Sequence, residues 1–174
     1  MTLCQKTEDM LRAPESRDVE LIYTWENDPE RLLHGRTGLP YSRETIEDYV
    51  SNYNETALGS GNLRFIVVKN ESKEACGIID LYDIDFSSRK AFTSVYIDID
   101  NRNQGLGKQA IADIISFGRD HLGLNQIVAV ISTENQVSVK LFESAGFKKA
   151  AVLPQWVRST EGRLIPAYLY TYFL

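Results

Sequence analysis

A mixed α/β sheet, mostly antiparallel, with six to seven strands and helices on both faces is the fold class this sequence predicts. Three observations lead there. Residues 63–84 read as an antiparallel hairpin, residues 91–132 as a strand–helix–strand crossover, and the whole chain as the order β α α β β β α β α β β. With 174 residues, 43% of them hydrophobic, the chain has the size and apolar mass of one ordinary domain. No internal repeat or low-complexity tract divides it.

The elements follow in order. DMLRA (9–13) is a short strand ended by Pro14. Ser16 is expected to cap a helix through SRDVELIYTWEND, with Val19, Leu21, Ile22 and Trp25 at helical spacing, stopped by Asp28-Pro29. SRETIEDYVSNY (42–53) is a second helix capped by Ser42. After the loop 54–62 the hydrophobic period changes: LRFIVVKN (63–70) and EACGIIDLYDI (74–84) are β-rich and joined by turn residues. AFTSVYIDID (91–100) alternates, placing Val95, Ile97 and Ile99 on one face and Ser94, Tyr96, Asp98 and Asp100 on the other. A helix over about 105–121 carries Leu106, Ala110, Ile114, Phe117 and His121 on one stripe, which places His121 among core residues. Gly123 suits its C-terminal end. QIVAVIS (126–132) is a strand covered on both faces, 135–146 a helix, and 147–154 and 165–173 the last two strands.

Composition excludes several functions. A net charge of −5 argues against nucleic acid as partner. No run of 18 apolar residues suggests a membrane span, and the first fifteen residues show no signal-peptide pattern. Two cysteines, Cys4 and Cys76, make no disulfide framework, and the two histidines, His34 and His121, sit in no metal-binding motif, so no metal is expected. The cytoplasm is the expected compartment.

The segment RNQGLGKQA (102–110) carries the chemistry. A strand runs into a helix whose first N–H groups have no intrahelical partner, two glycines remove side chains there, and Arg102 and Lys108 flank the bend. With the helix dipole this makes an anion site suited to a diphosphate. A bare strand–helix turn is the plainer alternative, although a glycine inside the first helical turn costs about 1 kcal/mol against alanine. The P-loop pattern is absent. Gly105, Gly107 and Ala110 fit G-x-G-x-x-A, but the acidic residue a dinucleotide fold needs about twenty positions on is missing.

Arg102, Gly105 and Gly107, followed about thirty residues later by Asn135, Ser138, Gly146 and Phe147, resemble the two signatures of the GNAT N-acetyltransferases. YTWENDPE near the N-terminus is similar to the branch that holds ribosomal-protein N-terminal acetyltransferases and spermidine or diamine acetyltransferases. The resemblance spans roughly 9–173 and implies one acetyltransferase domain over 1–174. It implies acetyl-CoA as cosubstrate, its diphosphate on the backbone of Gln104, Gly105, Leu106, Gly107, Lys108 and Gln109. Its pantetheine arm would lie where the strands near 95–99 and 126–132 splay, against Ile97, Asp98 and Ile99. Asn135, Ser138, Lys140 and Phe142 complete the implied cofactor contacts. Family members often place a tyrosine at the position of Phe142 to protonate the leaving thiolate; phenylalanine has no proton to give, and Ser138 is the acid the ribosomal-protein branch implies. Asp98, Asp100 and Glu26 are the candidate bases, with solvent water an equal alternative. The expected acceptor is a primary amine: a polyamine, another small amine or a peptide N-terminus. Trp25, Tyr82 and Trp156 could line its cleft. A non-catalytic acyl-CoA sensor is the alternative that Phe142 raises. A homodimer could form through an exposed C-terminal edge strand.

Overall fold

The computed structural model describes residues 10–34, 38–57, 59–159 and 161–174, and only the backbone of Glu30, Leu33 and His34. Its strands are β1 (Leu11–Arg12), β2 (Leu63–Val68), β3 (Ala75–Asp85), β4 (Lys90–Ile97), β5 (Gln126–Ser132), β6 (Lys148–Arg158) and β7 (Leu164–Phe173). They form one sheet in the order β1-β2-β3-β4-β5-β7-β6. Every neighbouring pair is antiparallel except β4 and β5. The helices are α1 (Val19–Glu26), α2 (Pro29–His34), α3 (Arg43–Ser51), α4 (Tyr53–Thr56), α5 (Leu106–Asp120) and α6 (Gln136–Ser144). The expected mixed sheet is the observed one. Cys4 and Asp9, the latter the first residue of the expected N-terminal strand, lie outside the described residues.

The alternation of the strands builds two cores. Ile66, Val68, Ile78 and Tyr96 face Ile22 and Trp25 of α1 and Ile46 and Val50 of α3. Val67, Ile79, Leu81, Ile127, Ala129 and Ile131 face Ala110, Ile111 and Ile114 of α5 and Val139 and Phe142 of α6. Fully covered isoleucines such as 66, 78, 111 and 114 each contribute roughly 1.5–3 kcal/mol of burial energy. Trp25, expected near the acceptor, is a member of the first core, with its ring 6.4 Å from that of Tyr96.

Local chemistry moves several boundaries. Ser16 does not cap α1; Glu15 and Asp18 form a capping box around a single 3-10 turn, Ser16–Asp18, which leads into the helix. α1 ends at Glu26, at the expected Asp28-Pro29 stop, but a further short helix follows directly. Asp28 Oδ1 accepts from Arg31 N (3.4 Å) and Pro29 opens α2, where its missing N–H is no loss. Ser42 caps α3 as expected, accepting from Thr45 N at 3.1 Å. β4 stops at Ile97 rather than continuing to Asp100, because Asp98 caps a 3-10 turn over Ile99–Asn101. His121 is exposed and stacks on Phe117 (4.9 Å between centroids) instead of entering the core.

The last two strands correct another expectation. The C-terminal strand β7 is interior, between β5 and β6, so the free edge belongs to β6. That edge is irregular: its register shifts between Leu153 and Val157, around Pro154 and the left-handed Gln155 (φ 50°). Proline and a bulge both discourage pairing with another strand. Among the described residues, no helix is long and apolar enough to cross a membrane.

Candidate active site

β4 and β5 pair only where Lys90, Ala91 and Phe92 meet Gln126, Ile127 and Val128. Beyond Phe92, β4 stays with β3 as far as Ile97, and β5 stays with β7 as far as Ser132. The sheet is therefore open along its middle. Asp98 N donates to Cys76 O (3.0 Å), which sets the alternation of the β3–β4 ladder. Even-numbered residues of β4 turn their peptide groups to β3, and Val95 and Ile97 turn theirs into the gap.

This changes which residues offer an edge. Ile97 has the expected place, but Val95 is its partner and not Ile99. Ile99 lies in the 3-10 turn, 63% exposed, with its N–H on Asp98 Oδ1 at 2.9 Å. Asp98 is thus a turn cap through its Oδ1. The Ile97 carbonyl is held by Arg102 Nε (2.9 Å), so Arg102 closes the bend onto the end of β4.

Between Asn103 and Lys108, no backbone N–H donates to another group among the described residues. The first helical bond of α5 is Gln109 N to Gly105 O, 3.1 Å. Gly105 holds the left-handed conformation that begins the helix (φ 80°), and a Cβ built on it meets nothing within 4 Å. Gly107 differs. Its Cβ would lie 3.2 Å from Leu141 Cδ2 and 3.5 Å from Ile97 Cγ1, so this glycine lets α5 seat against α6 and β4. No acidic residue occupies the first turn of α5, and Gln104, Lys108 and Gln109 are exposed along it. Gln109 Nε2 is directed to Asp113 Oδ1 (2.8 Å) and Gln104 Nε2 to Asp100 O (3.3 Å). Leu106 packs on the core. A run of peptide donors at the start of a 15-residue helix, with open space before it, fits the diphosphate of acetyl-CoA.

The start of α6 is the second component. Asn135 Oδ1 accepts from Ser138 N at 3.0 Å, so Asn135 is the helix cap. The half-buried Ser138 hydroxyl makes no hydrogen bond among the described residues, unlike Ser144, which bonds back to Leu141 O at 2.8 Å. Lys140 is exposed. Phe142 is 3% exposed, with its ring edge-on to Phe147 at 5.0 Å. It belongs to the core.

On the other sheet face lies a cluster the sequence reading missed. Arg64 Nε and Nη2 donate to Asp80 Oδ1 and Oδ2 at 2.8 and 3.1 Å, and Arg64 Nη1 lies 2.5 Å from Glu26 Oε1. Arg31 Nε and Nη2 donate to Glu26 Oε2 and Oε1 at 2.9 and 3.0 Å, and Arg31 Nη2 stands 3.6 Å from Asp80 Oδ2. Ser94 Oγ donates to Asp80 Oδ2 at 3.3 Å. Glu26 is 8% exposed with both oxygens on guanidinium groups, which removes it as a base for an incoming amine. Burial alone would raise the Asp80 carboxyl, but the charge and hydrogen bonds of Arg64, with Arg31 and Ser94, carry it below the usual range. The signal was available in sequence: a charged residue inside each of two apolar strands, LRFIVV and GIIDL. Tyr82 stacks on Phe92 (5.6 Å), and Trp156 stands on the β6 edge, 59% exposed.

A central sheet opened between one parallel pair of strands, beside a donor-rich strand–helix bend, is the arrangement of the acyl-CoA N-acyltransferase fold. The model of the acetyltransferase (GNAT) domain family matches residues 10–148, and the chain belongs to this family of acetyl-CoA-dependent N-acetyltransferases. It is similar to an uncharacterized N-acetyltransferase, p20, of Bacillus licheniformis, 26% identical over 92% of this chain and 90% of that one. A spermidine N(1)-acetyltransferase of Vibrio cholerae is 26% identical over 79% of this chain and 77% of its own. In structure the chain resembles the Vibrio cholerae spermidine N-acetyltransferase in complex with CoA and spermine. That match has a TM-score of 0.81, 22% identity and coverage of 94% of each chain.

Proposed function

We propose that this protein, acting as one domain over residues 1–174, acetylates a small polycationic amine of the polyamine class by direct attack within a ternary complex. The gap between β4 and β5 carries the reading. It adjoins the donors of 103–108, and the helices on the opposite sheet face are acidic. Residues 15–56 hold ten Asp and Glu against four Arg and no Lys, while the whole chain carries a net charge of −5. A polycation gains more from that field than a peptide N-terminus does. Similarity to a spermidine acetyltransferase supports the same choice. The cytoplasm is the compartment we assign, in keeping with a buried free thiol at Cys76.

The chemistry follows from the chain's own groups. The peptide edge of Val95 and Ile97 pairs with the amide-rich pantetheine arm as an added strand would. An N–H of that edge stabilises the charge that develops on the thioester oxygen. The ammonium gives a proton to solvent. Its nitrogen then attacks the carbonyl carbon, so that a C–N bond forms and the C–S bond breaks. The Ser138 hydroxyl supplies the proton that the departing thiolate takes, and the second proton, shed by the nitrogen of the new amide, restores the serine through solvent.

Thiol release measured over an amine panel tests the acceptor. Triamines and tetramines should turn over with higher kcat/KM than monoamines or peptides. A preference for an uncharged peptide context rejects the polyamine reading. Ser138→Ala should lower kcat about 10- to 100-fold with unchanged CoA affinity. Full activity in that variant removes Ser138 as the acid.

A further inference from the structure

We propose that Tyr96 is a positioning residue for both substrates, its ring setting the diphosphate bend and its hydroxyl setting the acceptor wall. The proposal rests on the reading above, in which the bend at 103–108 takes the diphosphate and the face of α1–α3 takes the amine. Tyr96 lies on the part of β4 that has left β5, with its side chain on the helical face of α1 and α3. Two guanidinium groups stand over its ring, Arg31 at 5.4 Å and Arg102 at 5.8 Å. They belong to different halves of the site. Arg102 begins the bend and fastens it to the Ile97 carbonyl, whereas Arg31 lies on α2 and is fixed by Glu26 and Asp80.

The hydroxyl faces the second half only. Tyr96 Oη donates to Asp28 Oδ2 at 3.2 Å, and the same carboxylate caps α2 through Arg31 N. Burial and then Asp28 push the phenol up to about 12, so it stays a donor across the working range of pH. One side chain thus touches the bend through its π face alone, and the α1–α2 corner through both its ring, at Arg31, and its oxygen, at Asp28. A cation over a ring is held by the ring's quadrupole, which phenylalanine shares and an aliphatic side chain lacks. The hydrogen bond to Asp28 needs the oxygen. The two contacts can therefore be removed separately.

Tyr96→Phe and Tyr96→Leu are compared with the unaltered chain by calorimetry with CoA and by steady-state kinetics with the best amine of the panel. Tyr96→Phe should leave the CoA Kd within about twofold and raise the amine KM about fivefold, with kcat little changed. Tyr96→Leu, which also removes the ring under Arg31, should raise the amine KM at least as much and the CoA Kd about tenfold. If Tyr96→Leu does not fold, Tyr96→Met replaces it. Both constants moving together in Tyr96→Phe would mean a merely structural role, and an unchanged CoA Kd in the aliphatic variant would remove the ring's function. Gly105→Glu, measured alongside, separates the two levels. CoA binding that survives it overturns the diphosphate reading itself, whereas lost binding with no effect of Tyr96 overturns only the Tyr96 assignment.

Discussion

Gly105→Glu loses CoA binding while the chain remains folded. Position 105 has φ 80° and its Cβ would meet nothing within 4 Å, so no neighbour is displaced. The left-handed conformation costs a non-glycine residue about 1–2 kcal/mol, a tolerable loss for a domain of this size. The new carboxylate would stand before the free peptide donors of 103–108, where it competes for them and repels a diphosphate. Like charges brought together at a binding site cost several kcal/mol, so the CoA Kd should rise more than about 100-fold by calorimetry. Gly105→Ala should show the backbone cost with a smaller loss of affinity. Binding at the original affinity in Gly105→Glu would place the diphosphate elsewhere.

Arg64→Met destabilises the fold by about 3–5 kcal/mol in urea titration, the usual consequence of removing one partner from a buried ion pair. Asp80 would lose its bidentate partner and Glu26 one of two, leaving Arg31 alone against two buried carboxylates. Lysine should not restore the loss, since a point charge cannot reproduce the paired N–H bonds to Asp80. A change within about 0.5 kcal/mol would show that the cluster is not closed in solution.

The same cluster fixes a pH dependence. Asp80 titrates below its unfolded value when folded, so its contribution is fully present above the ordinary aspartate range, about pH 4. It is lost as pH falls through the lower, folded value. Stability should therefore decline below about pH 4, and this part of the decline should shrink in Arg64→Met, where the Asp80 carboxyl is less depressed. An identical acid limb in both chains would remove Asp80 as its source.

Much of this architecture was legible from residues alone. The helical stripe of 106–120 names a buried face, with Ala110 and Ile114 fully covered, whereas in 91–100 the face read as apolar is half-buried at Val95 and Ile97 and exposed at Ile99, and Tyr96 of the other face is the buried one. The bend at 102–110 declared itself by two glycines, but their separate duties did not. Gly105 opens space and Gly107 admits Leu141, and that difference depends on a helix thirty residues away. Pairings between distant segments were equally hidden. Glu26 looked like a surface acid until Arg31 and Arg64 closed on it, and the C-terminal strand looked like an edge until β6 folded outside it. His121 followed the helical stripe in sequence, yet it is the C-cap of α5, exposed and stacked on Phe117 one turn back.

The parting of β4 from β5 after Phe92 has a consequence for motion. Amides in the centre of a seven-stranded sheet ordinarily resist deuterium longest, yet Val95 and Ile97 point theirs at no neighbouring strand. Without cosubstrate they should label as quickly as a peripheral strand does, while Ile78 and Ile79 beside them stay dark. Saturating acetyl-CoA should then slow them selectively, making two backbone positions a direct reporter of occupancy.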